Sequence, residues 1–512
     1  MRIRVAMILD DYLTMREIQA AEYNANYLGV SNLLLMESAG GAVADAVAAK
    51  VKPGGKVFVA CGLGGNGGDG FVAARHLAGR NYRVEVILVG SPNSIRSDET
   101  RHNYEVAQLM DESLSLQVVE DSSQVKSIDA DAIVDALIGY TYRGGLSPVN
   151  AAMIHAINAS SAWTVSVDTP TGLVVDTGEA PEECVEADVT VTFHKPKTGF
   201  KWKPKQLGKL IVVKLGLPVE AELFTGPGDV FLVHRRREAE SHKGMFGRLL
   251  VVGGSETYHG APALASIGAQ ATGVDLVYTA VPETAAEAVA ASSSSMIVVK
   301  LKGERLTAKN LTQLEPFLEK VDSVALGPGL GLHEDTKDAV LKLIKAAEAK
   351  QLPMLIDADG LKAFGERRRR LKVPAVFTPH SREFEVLTGR KAEGDWREKG
   401  AIVEAEAKRL GSVILLKGAV DVISDGIHTR FNWTGNPGMT VGGTGDVLSG
   451  ITAGYIAQGS TPMQAACAGA FLNGAAGDAV YLNKGYHIEA QDLVPYIPLV
   501  VEDAVDGKMR LV

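Results

Sequence analysis

The chain has 512 residues, 46% of them hydrophobic, 22% charged and 6% aromatic, with 55 glycines and a formal net charge of −9. That length fits two ordinary domains, each able to bury its own core, and the acidic balance argues against nucleic-acid or membrane-surface binding. Cys61, Cys184 and Cys467 lie too far apart for metal-ligand spacing or a disulfide framework and suit a reducing cytoplasm, the expected location.

The opening run Met1–Leu9 puts basic residues before an apolar stretch, but Asp10 and Asp11 cut it too short for a secretory signal. No apolar run is long enough to span a bilayer, so no membrane segment is expected. From about Leu13 to Lys50 apolar residues recur at helical spacing, with Thr14 and Glu17 as a capping box, and the stretch ends at Pro53-Gly54-Gly55. Residues 56–60 then form a short buried strand, Gly62–Gly70 its turn, and Phe71–Gly79 a helix. Further strands are expected at Arg83–Val89, Ala132–Ala136, Thr164–Val167, Val189–Phe193 and Leu210–Val213, giving a doubly wound, mostly parallel sheet.

Open sheets of this kind bind ligands at the carboxyl ends of their strands. Asn66 and Asp69, Asp135, and Asp168 with Thr171 fall there, and the loop Gly139–Gly145 lies between them. Glycine in such loops removes the Cβ atoms that would keep backbone N–H groups from an anion. A plain dinucleotide fingerprint is poorly matched, because Asp69 stands where a phosphate would crowd. Each feature has a plainer reading: a glycine loop as a tight turn, Asp135 as a helix cap or salt-bridge partner, the lysine-rich stretch Lys195–Lys214 as a solvated face, and His194 as a structural histidine.

Four ordered motifs, Gly65–Gly70, Val134–Gly139, Val167–Gly172 and Thr192–Lys197, resemble the NAD(P)H-hydrate epimerase family over most of residues 14–216. The resemblance implies a potassium ion held by Asn66, Asp135 and Thr171, and Asp168 as the proton-handling group. It also implies that the hydrate touches Gly65, Asn66, Gly67, Gly68 and Asp69, the loop Gly139, Tyr140, Thr141, Tyr142, Arg143, Gly144 and Gly145, and Asp168. Gly65 stands where asparagine is common, and Thr171 where serine is usual; the threonine keeps a hydroxyl.

Between Gly216 and Ser241 no helical or strand period repeats, which reads as a connection. A second α/β domain opens with the strand Arg248–Val252, the loop Gly253–Gly260 and a helix from Pro262 to Thr272. Strands follow at Ser323–Leu326, Met354–Ile356, Ala375–Thr378 and Val413–Leu416. The motifs of the first half do not recur, so this is a second fold. In Gly442-Gly-Thr-Gly-Asp446 the glycines open a helix whose N–H groups can face a phosphoryl group, and Asp446 can accept a hydroxyl proton. No Walker pattern is present. Alone, this motif is also compatible with a helix-start turn, His380 with a structural histidine, and Asp357 or Asp359 with helix caps.

That arrangement is ribokinase-like. His259–Pro262, Gly273–Leu276, Gly327–Gly331, Thr378–His380 and Lys417-Gly418 resemble one branch, the ADP- or ATP-dependent NAD(P)H-hydrate dehydratases, over roughly residues 225–505. The resemblance implies nucleotide binding by Lys417, Gly418, Ala419, Val420, Asp421 and Gly445, hydrate contacts from Ala261, Gly329 and His380, and Asp446 as base. Magnesium is expected, with Glu383 acting through water.

The expected organisation is an epimerase domain over 1–216 with a Rossmann-like doubly wound sheet, a linker over 217–240, and a ribokinase-like α/β dehydratase domain over 241–512. The expected substrates are NADHX, NADPHX and ADP, in a homo-oligomer with no nucleic-acid or membrane partner. ADP is preferred as donor because the fusion resembles the microbial ADP-dependent enzymes. Two other readings stay open: a vitamin or sugar kinase leaving a stable phosphate ester, and a non-catalytic first domain holding a nucleotide or RNA.

Overall fold

The computed structural model describes residues 12–511, so the reading of Met1–Leu9 lies outside the described residues. The chain divides into two compact units, the first ending at Pro218 and the second beginning at Val219.

The sheet of the first unit contains β1 (Lys56–Cys61), β2 (Arg83–Val89), β3 (Leu114–Val119), β4 (Ala132–Ala136), β5 (Trp163–Val167), β6 (Val189–Phe193) and β7 (Lys209–Val213). The order is β3-β2-β1-β4-β5-β6-β7, and every pairing is parallel. Strand order reverses between β1 and β4, which opens a crevice at their carboxyl ends. Alternation along β1 serves two cores: Val57, Val59 and Cys61 pack with Val43, Val47 and Phe71, while Phe58 and Ala60 pack with Met153, Ile154 and Ile157. Both faces are covered, which explains the continuous apolar runs in these strands.

The helical stretch before β1 is two helices, Met15–Tyr27 and Asn32–Ala48, parted at Gly29, whose φ of +94° suits glycine. The Thr14–Glu17 capping box is present. The expected turn Gly62–Gly70 is mostly helix, since the helix after β1 runs Gly65–Ala78. Glycine is costly inside a helix by about 1 kcal/mol relative to alanine, so composition favours a turn. Here close packing decides: a Cβ on Gly67 would lie 1.9 Å from the Gly62 carbonyl oxygen, and one on Gly62 1.8 Å from that of Leu137.

The sheet of the second unit contains β8 (Arg248–Val252), β9 (Leu276–Pro282), β10 (Ile297–Leu301), β11 (Ser323–Leu326), β12 (Met354–Ile356), β13 (Ala375–Phe377), β14 (Val413–Leu416), β15 (Asp421–Ser424) and β16 (Thr429–Asn432). The order is β10-β9-β8-β11-β12-β13-β14-β15-β16, parallel as far as β14 and antiparallel beyond it. The helix Thr444–Ala457 is buried at every position from Val447 onward, so it is apolar all round and not amphipathic.

The stretch 217–240, read as a connection, is mostly part of this second unit. It holds the helices Glu220–Leu223 and Pro227–Val233. Phe224 stacks on Trp433 with ring centroids 4.0 Å apart, and Arg430 meets Asp229 at 3.0 Å. Its proline, glycine and arginine content imitates a linker, whereas long-range packing orders it. Among the described residues no helix is long and apolar enough to cross a membrane.

Candidate active sites

The crevice of the first unit is a cavity of about 380 Å³. Of the expected residues it is lined by Gly65, Asn66, Asp69, Gly139, Tyr140, Thr141 and Asp168, and the residues that join them include Glu22, His194 and Lys197. Gly67 and Gly68 do not reach it, being packed on the Gly62 carbonyl and on Met36. Nor do Tyr142, Arg143, Gly144 and Gly145. Tyr142 is buried and donates to Glu182 Oε2 at 2.6 Å, and the N–H groups of Gly145 and Leu146 reach that same oxygen at 2.9 and 3.0 Å. The anion position of this loop is thus filled by a carboxylate of the chain itself.

Asp168 follows β5 in a three-residue turn: its φ is +64°, and Thr169 N donates to Val167 O at 2.7 Å. The positive-φ form of this turn is the rarer and more strained one. The neighbouring strand ends the same way, with His194 at φ +63° and Lys195 N donating to Phe193 O at 2.7 Å. Asp168 Oδ1 accepts from Lys197 Nζ, from Thr192 Oγ1 at 3.2 Å and from Phe193 N at 3.3 Å. Its Oδ2 has no hydrogen-bond partner. A buried carboxylate held on one oxygen and open on the other can take a proton from a ligand.

The solvated-face reading of 195–214 holds for Lys201, Lys203, Lys205, Lys209 and Lys214, which are exposed, but fails at its start: Lys197 is fully buried, Lys195 is nearly so, and Lys197 Nζ also donates to Thr192 Oγ1 at 2.7 Å. The Lys197→Met variant should lose about 3 kcal/mol of stability, since one partner of a buried pair is left alone. Urea unfolding checks this: the midpoint should fall with the slope unchanged, and a midpoint equal to wild type would refute it.

Asp135, at the end of β4, is fully buried and accepts from Thr171 Oγ1 at 2.6 Å, Ser166 Oγ at 2.8 Å, Thr171 N at 2.9 Å and Leu137 N at 3.4 Å. Burial nonetheless pushes its carboxyl up, against the pull of those bonds. Thr171 Oγ1 in turn accepts from Ile138 N at 3.0 Å. Asn66 meets the adjoining residue, since a Cβ on Gly139 would lie 3.0 Å from Asn66 Oδ1. Its Nδ2 is buried without a partner. The two ends of an amide are nearly isosteric, so a flip would turn a carbonyl oxygen into that unfilled position. The structure therefore gathers these three residues around the backbone of 137–139.

In the second unit Gly443, with φ +102°, caps the helix Thr444–Ala457, and Asp446 lies in its first turn. Lys417, at the end of β14, puts Nζ 3.2 Å from Asp357 Oδ1, and a Cβ on Gly445 would lie 3.2 Å from that nitrogen. Asp357 Oδ2 accepts from Ser449 Oγ at 2.5 Å. Asp357 does occupy a helix N-cap position, but its carboxylate makes no cap bond and goes to Lys417 and Ser449 instead. Asp446 is pushed up to about 7, first by burial and then by Asp357, with Lys417 pulling it down. Burial pulls Lys417 down, yet Asp357 and Glu383 outweigh it, so this cation stays charged.

The loop Lys417–Val420 joins β14 to β15, and Asp421 braces it by accepting from Gly418 N at 2.9 Å and Asn432 Nδ2 at 3.0 Å. Burial pushes the Asp421 carboxyl up to about 6. Ala261 and Gly329 meet: a Cβ on Gly329 would lie 3.3 Å from that of Ala261, at a φ of +67° that favours glycine. His380 is exposed at the start of the helix Ser381–Thr388, where buried Glu383 accepts from its N–H at 3.1 Å. Among the described residues no group of three or more His, Cys, Asp or Glu is placed to hold a metal ion.

Two α/β units, each with a half-buried or buried carboxylate beside glycine-rich backbone at its strand ends, define an enzyme with two separate sites. The family model described as YjeF-related protein N-terminus matches residues 32–199, and that of NAD(P)H-hydrate dehydratase matches residues 249–499. The bifunctional NAD(P)H-hydrate repair enzyme Nnr of Hyperthermus butylicus is 42% identical over 98% of this chain and 94% of its own. That of Pyrobaculum aerophilum is 44% identical over 96% and 98% respectively. The chain belongs to the bifunctional NAD(P)H-hydrate repair enzymes, with a Rossmann-like unit followed by a ribokinase-like one. Among solved structures, an ADP/ATP-dependent NAD(P)H-hydrate dehydratase from Bacillus subtilis aligns at a TM-score of 0.48 and 25% identity, covering 55% of this chain and 98% of that one.

Proposed function

We propose that the first unit interconverts the R and S epimers of NAD(P)H hydrate at Asp168, and that the second dehydrates the S epimer with ADP as phosphoryl donor. Asp446 accepts the proton of the ring hydroxyl as it attacks the phosphoryl group. The N–H groups at the start of Thr444–Ala457 and the Lys417 ammonium face the charge that develops. Phosphate then leaves where hydroxide could not, and NAD(P)H, AMP and phosphate result. The observation that carries this reading is the convergence of Lys417, Asp357, Ser449 and Gly445 beside a carboxylate raised to about 7. Recovery of NADH absorbance from its hydrate, without a lasting phosphate ester, tests it against a vitamin or sugar kinase.

ADP as donor is tested by steady-state rates with ADP and with ATP; a clear preference for ATP would overturn it and leave dehydration intact. Magnesium fits this site as an ion held mainly by the nucleotide phosphates and water, with Glu383 in the outer layer, where it would neutralise phosphate charge.

Potassium suits the first unit, because Asp135, Thr171 and the Asn66 amide offer one carboxylate among neutral oxygens, and a cation would offset the burial that disfavours the Asp135 charge despite its hydrogen bonds. The Asp135→Ala variant should bind the ion weakly and exchange epimers slowly. Fed a mixture of epimers with ADP, it should recover cofactor until the S form is spent and then stall, after correction for spontaneous exchange. Early consumption of the R epimer at the wild-type rate would make Asp135 structural.

A further inference from the structure

We propose that Glu22 is a second proton-handling residue of the epimerase site, working from a different wall of the cavity than Asp168. The assignment deepens the epimerase reading and rests on it. Glu22 comes from the helix Met15–Tyr27, Asp168 from the end of β5, and both line the cavity with Asp69. Among these three carboxylates the buried cation is Lys197, and it contacts Asp168. Glu22 Oε2 accepts instead from the Tyr140 hydroxyl, at 3.2 Å. Asp168 thus has an ammonium as its partner, whereas Glu22 has only a neutral hydroxyl and can hold a proton.

The charges facing Glu22 act in that direction. Burial, then Asp168, push it up to about 7, while Tyr140 and Lys197 pull it down. His194 also borders the cavity. Asp69 is pushed well above the usual carboxylate range by burial, Asp168 and Glu22, so it stays a neutral and weaker acid. Glu22 exchanges its proton near neutrality, as an effective acid or base does.

Water adds to an enamine double bond at the carbon next to nitrogen, so the inverting centre carries both the hydroxyl and the ring nitrogen. The Glu22 carboxyl gives its proton to that hydroxyl, the C–O bond breaks, water leaves, and the nitrogen lone pair closes a planar C=N bond. Water then adds from the other face, forming the new C–O bond, and its spare proton goes to the free Oδ2 of Asp168. Glu22 is left as carboxylate and Asp168 as acid, the form suited to the reverse conversion.

The test uses the full chain, R-enriched NADH hydrate, potassium ions and ADP, with conversion read as NADH formed. Wild type should lose R-to-S turnover as pH rises through about 7, because the Glu22 proton is lost. Glu22→Gln should lower kcat about 100-fold, leave KM within about threefold and remove that limb. Tyr140→Phe removes a hydrogen bond that lowers the Glu22 pKa, so it should move the limb to higher pH even if Glu22→Gln fails to fold. An unshifted limb in Tyr140→Phe, wild-type exchange by Glu22→Gln, or a limb lost only in Asp69→Asn would overturn the assignment. Wild-type protein that turns over the S epimer and never the R epimer would overturn the epimerase reading itself.

Discussion

Asp446→Asn is expected to slow dehydration of the S epimer by about 100- to 10,000-fold, the usual range for removing a positioned general base. Asparagine is nearly isosteric, and Asp446 makes its electrostatic case through Asp357 and Lys417 without bridging to either, so the fold should survive. The same geometry sets a pH signature. The working form is the carboxylate, and burial with Asp357 beside it holds the group near 7, so kcat/KM should climb with pH through about 7 and then level. In the asparagine variant that limb should be absent. Dehydration within threefold of wild type would sink the role given to Asp446.

Asp168→Asn should remove epimer exchange to a comparable extent, about 100- to 10,000-fold, while turnover of pure S epimer stays near wild type. The amide keeps an oxygen for the Thr192 and Phe193 donors but gives up the charge that pairs with Lys197. A loss of stability of about 3 kcal/mol should accompany the lost exchange, because a buried ammonium then lacks its counter-charge. Chromatographic separation of the epimers at short times decides the point. Exchange at the wild-type rate would move the chemistry to another group in the cavity.

The central strands of both sheets were legible because parallel strands covered on two faces read as continuous apolar runs, as in Val57–Cys61 and Leu249–Val252, whereas β3, β9, β10, β15 and β16, toward the sheet edges and interrupted by polar residues, were missed. Asp168 and Asp446 were legible because each follows a strand or opens a helix beside glycine. Lys197 was hidden, since a lysine among lysines looks solvated, and only the flanking Phe193 and Phe200, both buried, hint otherwise. Glu22 did carry a signal: it lies four residues after buried Ile18 and three before buried Ala25, on the apolar stripe of its helix. Asp357 looked like a helix cap, and its place is one; that its carboxylate turns to Lys417 depends on residues far along the chain. The glycine run 65 to 70 was misread for a related reason, because Gly67, Gly68 and Gly70 are packed closely on Gly62, Met36 and Ala136, contacts that their own preference does not show.

The adjacent turns at Asp168 and His194 tie the working life of the first site to the sheet that carries it. Each bend is uphill for an isolated chain and persists because β5 and β6 hold it on either side. Loosening those strands lets the bends relax and swings the Asp168 carboxylate off its bearing. On slow heating, then, epimerase activity should not fade ahead of the protein as it does where a catalytic group rides on a mobile loop. It should persist nearly to the melting point of the sheet and vanish with it, so that the temperature limit of this activity is a property of β5 and β6 and is raised by whatever stiffens them.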